Sequence, residues 1–155
     1  MLRSILTSAA IVSMAALPQR SWADPGETAF NTYCSMCHQV RGQGVPGQFP
    51  RIADRADKIA STPEGRRYLC TLVLYGMAGQ VTVDGTPLVG VMPPLGMLSD
   101  QSLADALNHV MQFSGKGKVR AFTAAEVKAQ RRAAPLSAAE VHAIRDQLVT
   151  SGAIP

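Results

Sequence analysis

The string Cys34-Ser35-Met36-Cys37-His38 constrains this chain more than any other feature. Two thiols three residues apart, followed at once by an imidazole, are the arrangement of c-type heme attachment. The spacing has a chemical reason. Each thiol can add across one vinyl group of the porphyrin and form a thioether. His38 lies one helical turn beyond Cys34, so both can face one macrocycle and the imidazole can reach the iron. A thioredoxin-like dithiol also uses Cys-x-x-Cys, but inside a βαβ unit that this sequence does not offer. Structural zinc needs a second ligand pair, whereas Cys70, His109 and His142 stand singly and far apart. Aromatic residues make up only 5% of the chain, so a core of side chains alone would be thin and a heme is expected at its centre.

The rest of the composition narrows the setting. With 155 residues, 46% hydrophobic and 17% charged, the chain suits one folded domain and not a disordered segment. Three cysteines are too few for a disulfide scaffold. Residues 1–23 read as a secretory signal: Arg3, an apolar run from Ser4 to Leu17, and Ser21-Trp22-Ala23 before a cut. That run is shorter than the roughly 20 residues that span a bilayer, and nothing later is longer. The mature chain is therefore expected in the periplasm, without a transmembrane segment. Residues 24–114 carry six basic and eight acidic side chains, and residues 115–155 seven and three. Neither balance supplies the dense basic face that nucleic acid requires.

A sixth iron ligand has to come from elsewhere, and Met92 in Gly90-Val91-Met92-Pro93-Pro94 is the candidate. Two prolines stiffen the backbone just after the sulfur. A methionine locked in a rigid loop suits ligation better than the gap-filling usual for this residue. Met97 is the second choice. Met77 and Met111 fall in helical patterns and read as core.

These residues resemble the class I monoheme cytochromes c, most of all the small cytochrome subunits and domains that serve periplasmic dehydrogenases. Three motifs carry the resemblance: Cys34 to His38, the loop Gly44-Val45-Pro46-Gly47-Gln48-Phe49-Pro50, and Gly90 to Pro94. It implies an all-α fold around one covalently bound heme c, with His38 and Met92 on the iron and Cys34 and Cys37 as the attachment points. It implies that Gly26 and Phe30 meet the last helix of the heme domain. It also implies that the Pro50 carbonyl accepts the axial histidine's proton and that Ile52 packs on the heme. His109 departs from the pattern, since relatives usually carry an aromatic there. The implied role is an electron carrier without substrate chemistry. Its donor would be a periplasmic dehydrogenase and its acceptor a respiratory-chain cytochrome or oxidase. The alternatives are direct donation to a terminal oxidase, and a heme enzyme or ligand sensor with a labile sixth ligand.

The expected layout follows. Asp24-Pro25-Gly26-Glu27 opens a helix with a capping box. A wrapping loop over 39–60 holds a short helical piece near 55–60. A second helix starts at Thr62-Pro63 and runs to Gly76, with Leu69, Leu72, Val73 and Gly76 on one stripe. A small hairpin spans Val81 to Leu88 around Asp84-Gly85, the Met92 loop follows, and a helix capped by Ser99 runs through Phe113. The heme domain is placed at 24–115 and a two-helix extension at 116–155. In that extension Phe122 to Arg131 recurs as Leu136 to Arg145, each copy with a Ser/Thr cap and Glu three later. The extension is expected to pack on the heme domain, with docking of a partner as the alternative. Cys70 reads as a buried apolar thiol and His142 as solvated.

Overall fold

Proline, glycine and capping residues set the limits of the helices. The computed structural model describes residues 24–114, 119–131 and 135–155, so the signal segment at 1–23 lies outside the described residues. Helix α1 (Pro25–Tyr33) starts at Asp24, whose carboxylate accepts from the Gly26 N–H at 2.8 Å, with Pro25 in the first position. The reciprocal bond expected of Glu27 is not among the described hydrogen bonds. The helix breaks stride at Cys34 and resumes as α2 (Ser35–His38). After a loop come the short α3 (Ala56–Ile59) and the long α4 (Pro63–Tyr75). Thr62 caps α4 by accepting from the Gly65 N–H at 3.0 Å. Gly76 ends it at φ +70°, a positive φ that glycine adopts without strain.

Strands β1 (Met77–Val83) and β2 (Thr86–Met92) form an antiparallel hairpin. Asp84 and Gly85 both have positive φ, 52° and 77°, as the expected primed turn requires. The ladder is longer than the sequence suggests, running back to Met77 and on to Met92. Gly79 and Gly90 face each other in it, and two glycines leave no side-chain alternation to read. Met77 is therefore a strand residue and not part of a helix, and Met92 ends a strand where the sequence suggests a loop.

Helix α5 (Asp100–Met111) is capped by Ser99 and tightens into a 3-10 turn over Gln112–Ser114, so it stops before Phe113. Helices α6 (Ala124–Arg131) and α7 (Ala138–Thr150) are the two repeats. Each has its reciprocal cap, Thr123 with Glu126 and Ser137 with Glu140. No helix among the described residues is long and apolar enough to cross a membrane.

Two packing arrangements place the site. In the first, α1 crosses α5: a Cβ on Gly26 would collide with the Asp105 carbonyl, so only glycine allows this approach. Phe30 is fully buried there, and its ring stands 5.4 Å from His109 and 5.0 Å from Phe113. His109 lies tilted to Phe30 and edge-on to Phe113, and its buried Nδ1 has no hydrogen-bond partner among the described residues. In the second, α4 is surrounded. Tyr68, Leu69, Cys70 and Leu74 share one apolar cluster with Leu103 and Leu107 of α5, Phe122 and Val127 at α6, and Val141 of α7. The extension packs on the helices before it. Val127 and Val141 are both fully buried, and burying each stabilises by about 1.5–3 kcal/mol.

Candidate functional site

The first half of the site is built by local backbone. The His38 N–H bonds the Cys34 carbonyl at 2.9 Å, which keeps both residues on one turn. The chain then folds back on α2: the Gly44 N–H reaches the His38 carbonyl at 2.9 Å, and Val45 and Phe49 form an isolated bridge. Gly44 has φ +66°, and a Cβ there would strike the Phe49 carbonyl and the Arg51 nitrogen. This return places the Pro50 carbonyl 3.0 Å from His38 Nδ1. A carbonyl can only accept, so Nδ1 carries the hydrogen and Nε2 keeps its lone pair for a metal. Burial lowers the His38 pKa from its ordinary 6.5, against the opposing pull of the Pro50 bond, so the ring is neutral at pH 7.

Cys34 and Cys37 form no disulfide, and both are half-buried. Burial, and then the neighbouring Cys37, push the Cys34 thiol up to about 11. A redox dithiol needs a depressed, thiolate-forming cysteine. Cys34 has the opposite environment.

The second half of the site is assembled from a distance. Met92 is half-buried at the end of β2, opposite Met77, whose sulfur accepts from the Tyr68 hydroxyl at 3.5 Å. The segment after it is pinned where the Leu95 N–H bonds the Val73 carbonyl at 3.0 Å. Met97 is 73% exposed. An ion-pair group joins the two halves. Arg51, the residue after Pro50, grips Asp84 at the hairpin tip with two bonds of 2.8 and 3.0 Å, and Arg55 adds a third at 3.2 Å. The Arg51 bonds, with Arg51 and Arg55 charges beside them, hold the Asp84 carboxyl below its usual range.

Several structural residues escape the sequence reading. Arg66 is buried on α4, bonds Glu126 and the carbonyls of Arg120 and Ala121, and lies 4.0 Å over the Phe122 ring. Arg131 binds the Gly96 and Leu98 carbonyls and Asp100. His142 is half-buried and not freely solvated: its Nε2 donates to the Gln80 carbonyl at 2.6 Å, and its ring lies against Gly79. A charged residue on an otherwise polar helix face gives no advance sign of such partners. Cys70 is buried as read, its thiol pushed up to about 12 chiefly by burial.

Two cysteines on one turn, an imidazole presenting Nε2 and a thioether at a strand end are a donor set that suits a covalently attached heme. The comparisons with known proteins agree. The family model for cytochrome c matches residues 23–114. A cytochrome c-552 of Thermus thermophilus is 40% identical over 119 residues, which span 74% of this chain and 90% of that protein. A second cytochrome c-552, from a defined strain of Thermus thermophilus, is also 40% identical over 119 residues, spanning 74% of this chain and 80% of its own length. Both likenesses extend over more of the chain than the family model does. The chain belongs to the cytochrome c family: it is a class I monoheme cytochrome c, an electron carrier that binds one heme c covalently.

Proposed function

We propose that Cys34 and Cys37 hold the heme, that His38 and Met92 are its axial ligands, and that the protein carries single electrons in the periplasm. The observation that carries this reading is the His38 tautomer: Pro50 takes the Nδ1 hydrogen and leaves Nε2 for iron, on the same turn as both thiols. When bound, the heme supplies one reversible electron through its Fe(III)/Fe(II) couple. The residues around it do the rest. Pro50 orients the imidazole and raises its basicity as a ligand. Met92, a soft thioether, favours the reduced state. With His38 and Met92 both on the iron, no site would be left there for a substrate.

The test is carbon monoxide. Reduced holoprotein at neutral pH is expected to bind it slowly and incompletely. Rapid, complete binding would instead support a heme enzyme or sensor with a labile sixth ligand.

The route of the electron is part of the same proposal. The donor is a periplasmic dehydrogenase, as for the cytochromes this chain resembles, and the acceptor is a respiratory-chain cytochrome or oxidase. The segment at 1–23 supports export. Met36 and Val91, next to proposed heme residues, are exposed and apolar, as is Met97. The heme region has nearly balanced charge, six basic against eight acidic side chains over 24–114. Docking by such a surface is weakly steered. The rate of reduction by the donor is therefore expected to change less than about tenfold between low and physiological salt. A fall of several decades would place docking on a charged surface instead.

A further inference from the structure

The backbone that leaves Met92 has few ways to hold itself in place. Pro93 and Pro94 have no N–H to donate. The first anchor is Leu95, buried and bonded through its N–H to the Val73 carbonyl. Beyond it the Leu98 N–H returns to the Leu95 carbonyl at 3.0 Å, and Met97 points a mostly exposed side chain away. The Gly96 and Leu98 carbonyls are both taken by one residue, Arg131, the last of α6. Its Nη1 donates to Gly96 at 2.5 Å and its Nη2 to Leu98 at 2.9 Å. Its Nε donates to the Asp100 carboxylate at 2.7 Å. Asp100 is the first residue of α5, where the helix dipole favours a negative charge.

The arginine is itself located. The Tyr75 hydroxyl, on the last residue of α4, reaches the Gln130 carbonyl at 3.3 Å and the Arg131 carbonyl at 3.5 Å. The next residue, Gly76, lies so close to the Met92 carbonyl and Pro94 nitrogen that no side chain would fit there. The ends of α4 and α6, the start of α5 and the segment after Met92 therefore meet in one place. The guanidinium serves three acceptors in different directions, which a lysine ammonium cannot do with the same planar fork.

We propose that Arg131 is a positioning residue for the sixth ligand: it clamps the segment after Met92, so the C-terminal extension sets how firmly the thioether is held. This rests on the reading of Met92 as the ligand. The side-chain partners of Arg131 are Gly96, Leu98 and Asp100. Its effect comes through the Gly96 and Leu98 carbonyls, and the far-lying α6 becomes part of the ligand's support.

The test uses the ferric holoprotein, with imidazole as the competing ligand. Arg131→Gln is expected to raise imidazole affinity about tenfold, the scale of one lost charge-assisted hydrogen bond. It should also lose the thioether-to-iron charge-transfer band on warming before the helical signal falls. Arg131→Lys should recover part of the difference. Val127→Ala, which loosens the same helix without touching the fork, should lower the unfolding temperature and leave imidazole affinity within about twofold of wild type. Met92→Ala serves as the reference for a fully released ligand. Arg131→Gln within twofold of wild type, beside a large gain in Met92→Ala, would overturn the clamp and leave the ligand assignment standing. An equal gain in Val127→Ala would overturn it too, by showing general loosening. Unchanged imidazole affinity and an unchanged band in Met92→Ala would bring down the ligand assignment and the clamp together.

Discussion

Cys34, Cys37, His38 and Pro50 are neighbours in sequence, and the bonds that arrange them join residues of the same stretch: His38 to Cys34, Gly44 to His38, Pro50 to His38. Met92 is held differently. It pairs with Met77 across the ladder, and the segment around it is met by Val73 and Gly76 at the end of α4 and by Arg131 in the extension. One half of the site is local and the other is assembled. Loop-closure entropy makes the first cheap to form, while the second depends on the whole core being in place. The methionine half should therefore be the first to loosen under stress, and the histidine half the last.

The largest effect should come from the local half. Cys34→Ala with Cys37→Ala removes both attachment points. Heme should then be extractable by acid-acetone, the mature mass should show none added, and the helical signal should be largely lost, as in small domains whose fold depends on a metal group. Retained covalent heme would contradict the assignment of the thiols.

Next in size is the potential. Met92→His should stay low-spin and lower the midpoint potential by on the order of 0.1–0.3 V, a part of the roughly 0.8 V that axial ligands span. An unchanged potential would mean that Met92 is not on the iron.

The third effect concerns the packing of the extension on α4. Val127→Ala should cost about 2 kcal/mol in global stability, because Val127 is fully buried between the extension and α4. Denaturant unfolding would show it as a lowered midpoint. No change would mean that the extension is not integral to the core.

Acid probes the same joint. Glu126 is held below its ordinary 4.5: burial pushes it up, but bonds from Arg120, Arg66 and the Thr123 N–H outweigh this. A lowered folded value means that its stability contribution is present above about 4.5 and is lost as pH falls through the folded value. Glu126→Gln should therefore destabilise at pH 7, and the penalty should shrink at acid pH below the folded value. A penalty equal at both pH values would show that the carboxylate's charge does not matter. The smallest effect is His142→Ala, expected to cost about 1 kcal/mol through the lost Gln80 bond. Thermal unfolding would register it, and an unchanged midpoint would mean that this bond does not brace the hairpin.

The same contrast explains what the sequence reveals. Asp24, Thr62, Ser99 and Ser137 mark helix starts because a cap is a local bond, and Asp84-Gly85 marks the turn because two adjacent residues adopt positive φ. Pro50 is placed by resemblance, and the structure puts its carbonyl on His38. The outer ends of the hairpin are hidden by Gly79 and Gly90. On α4 one apolar stripe and the burial of Cys70 are legible, but Arg66 is buried against Glu126 and Phe122 of the extension. His142 and Arg131 read as surface charges because their partners, Gln80 and Gly96, are backbone carbonyls of distant segments.

The central claim is that Met92 is the thioether on the iron. The most direct measurement is the thioether-to-iron charge-transfer band of the ferric protein, compared between Met92→Ala and Met97→Ala. The band should vanish in Met92→Ala and persist in Met97→Ala. Its survival in Met92→Ala together with its loss in Met97→Ala would contradict the account.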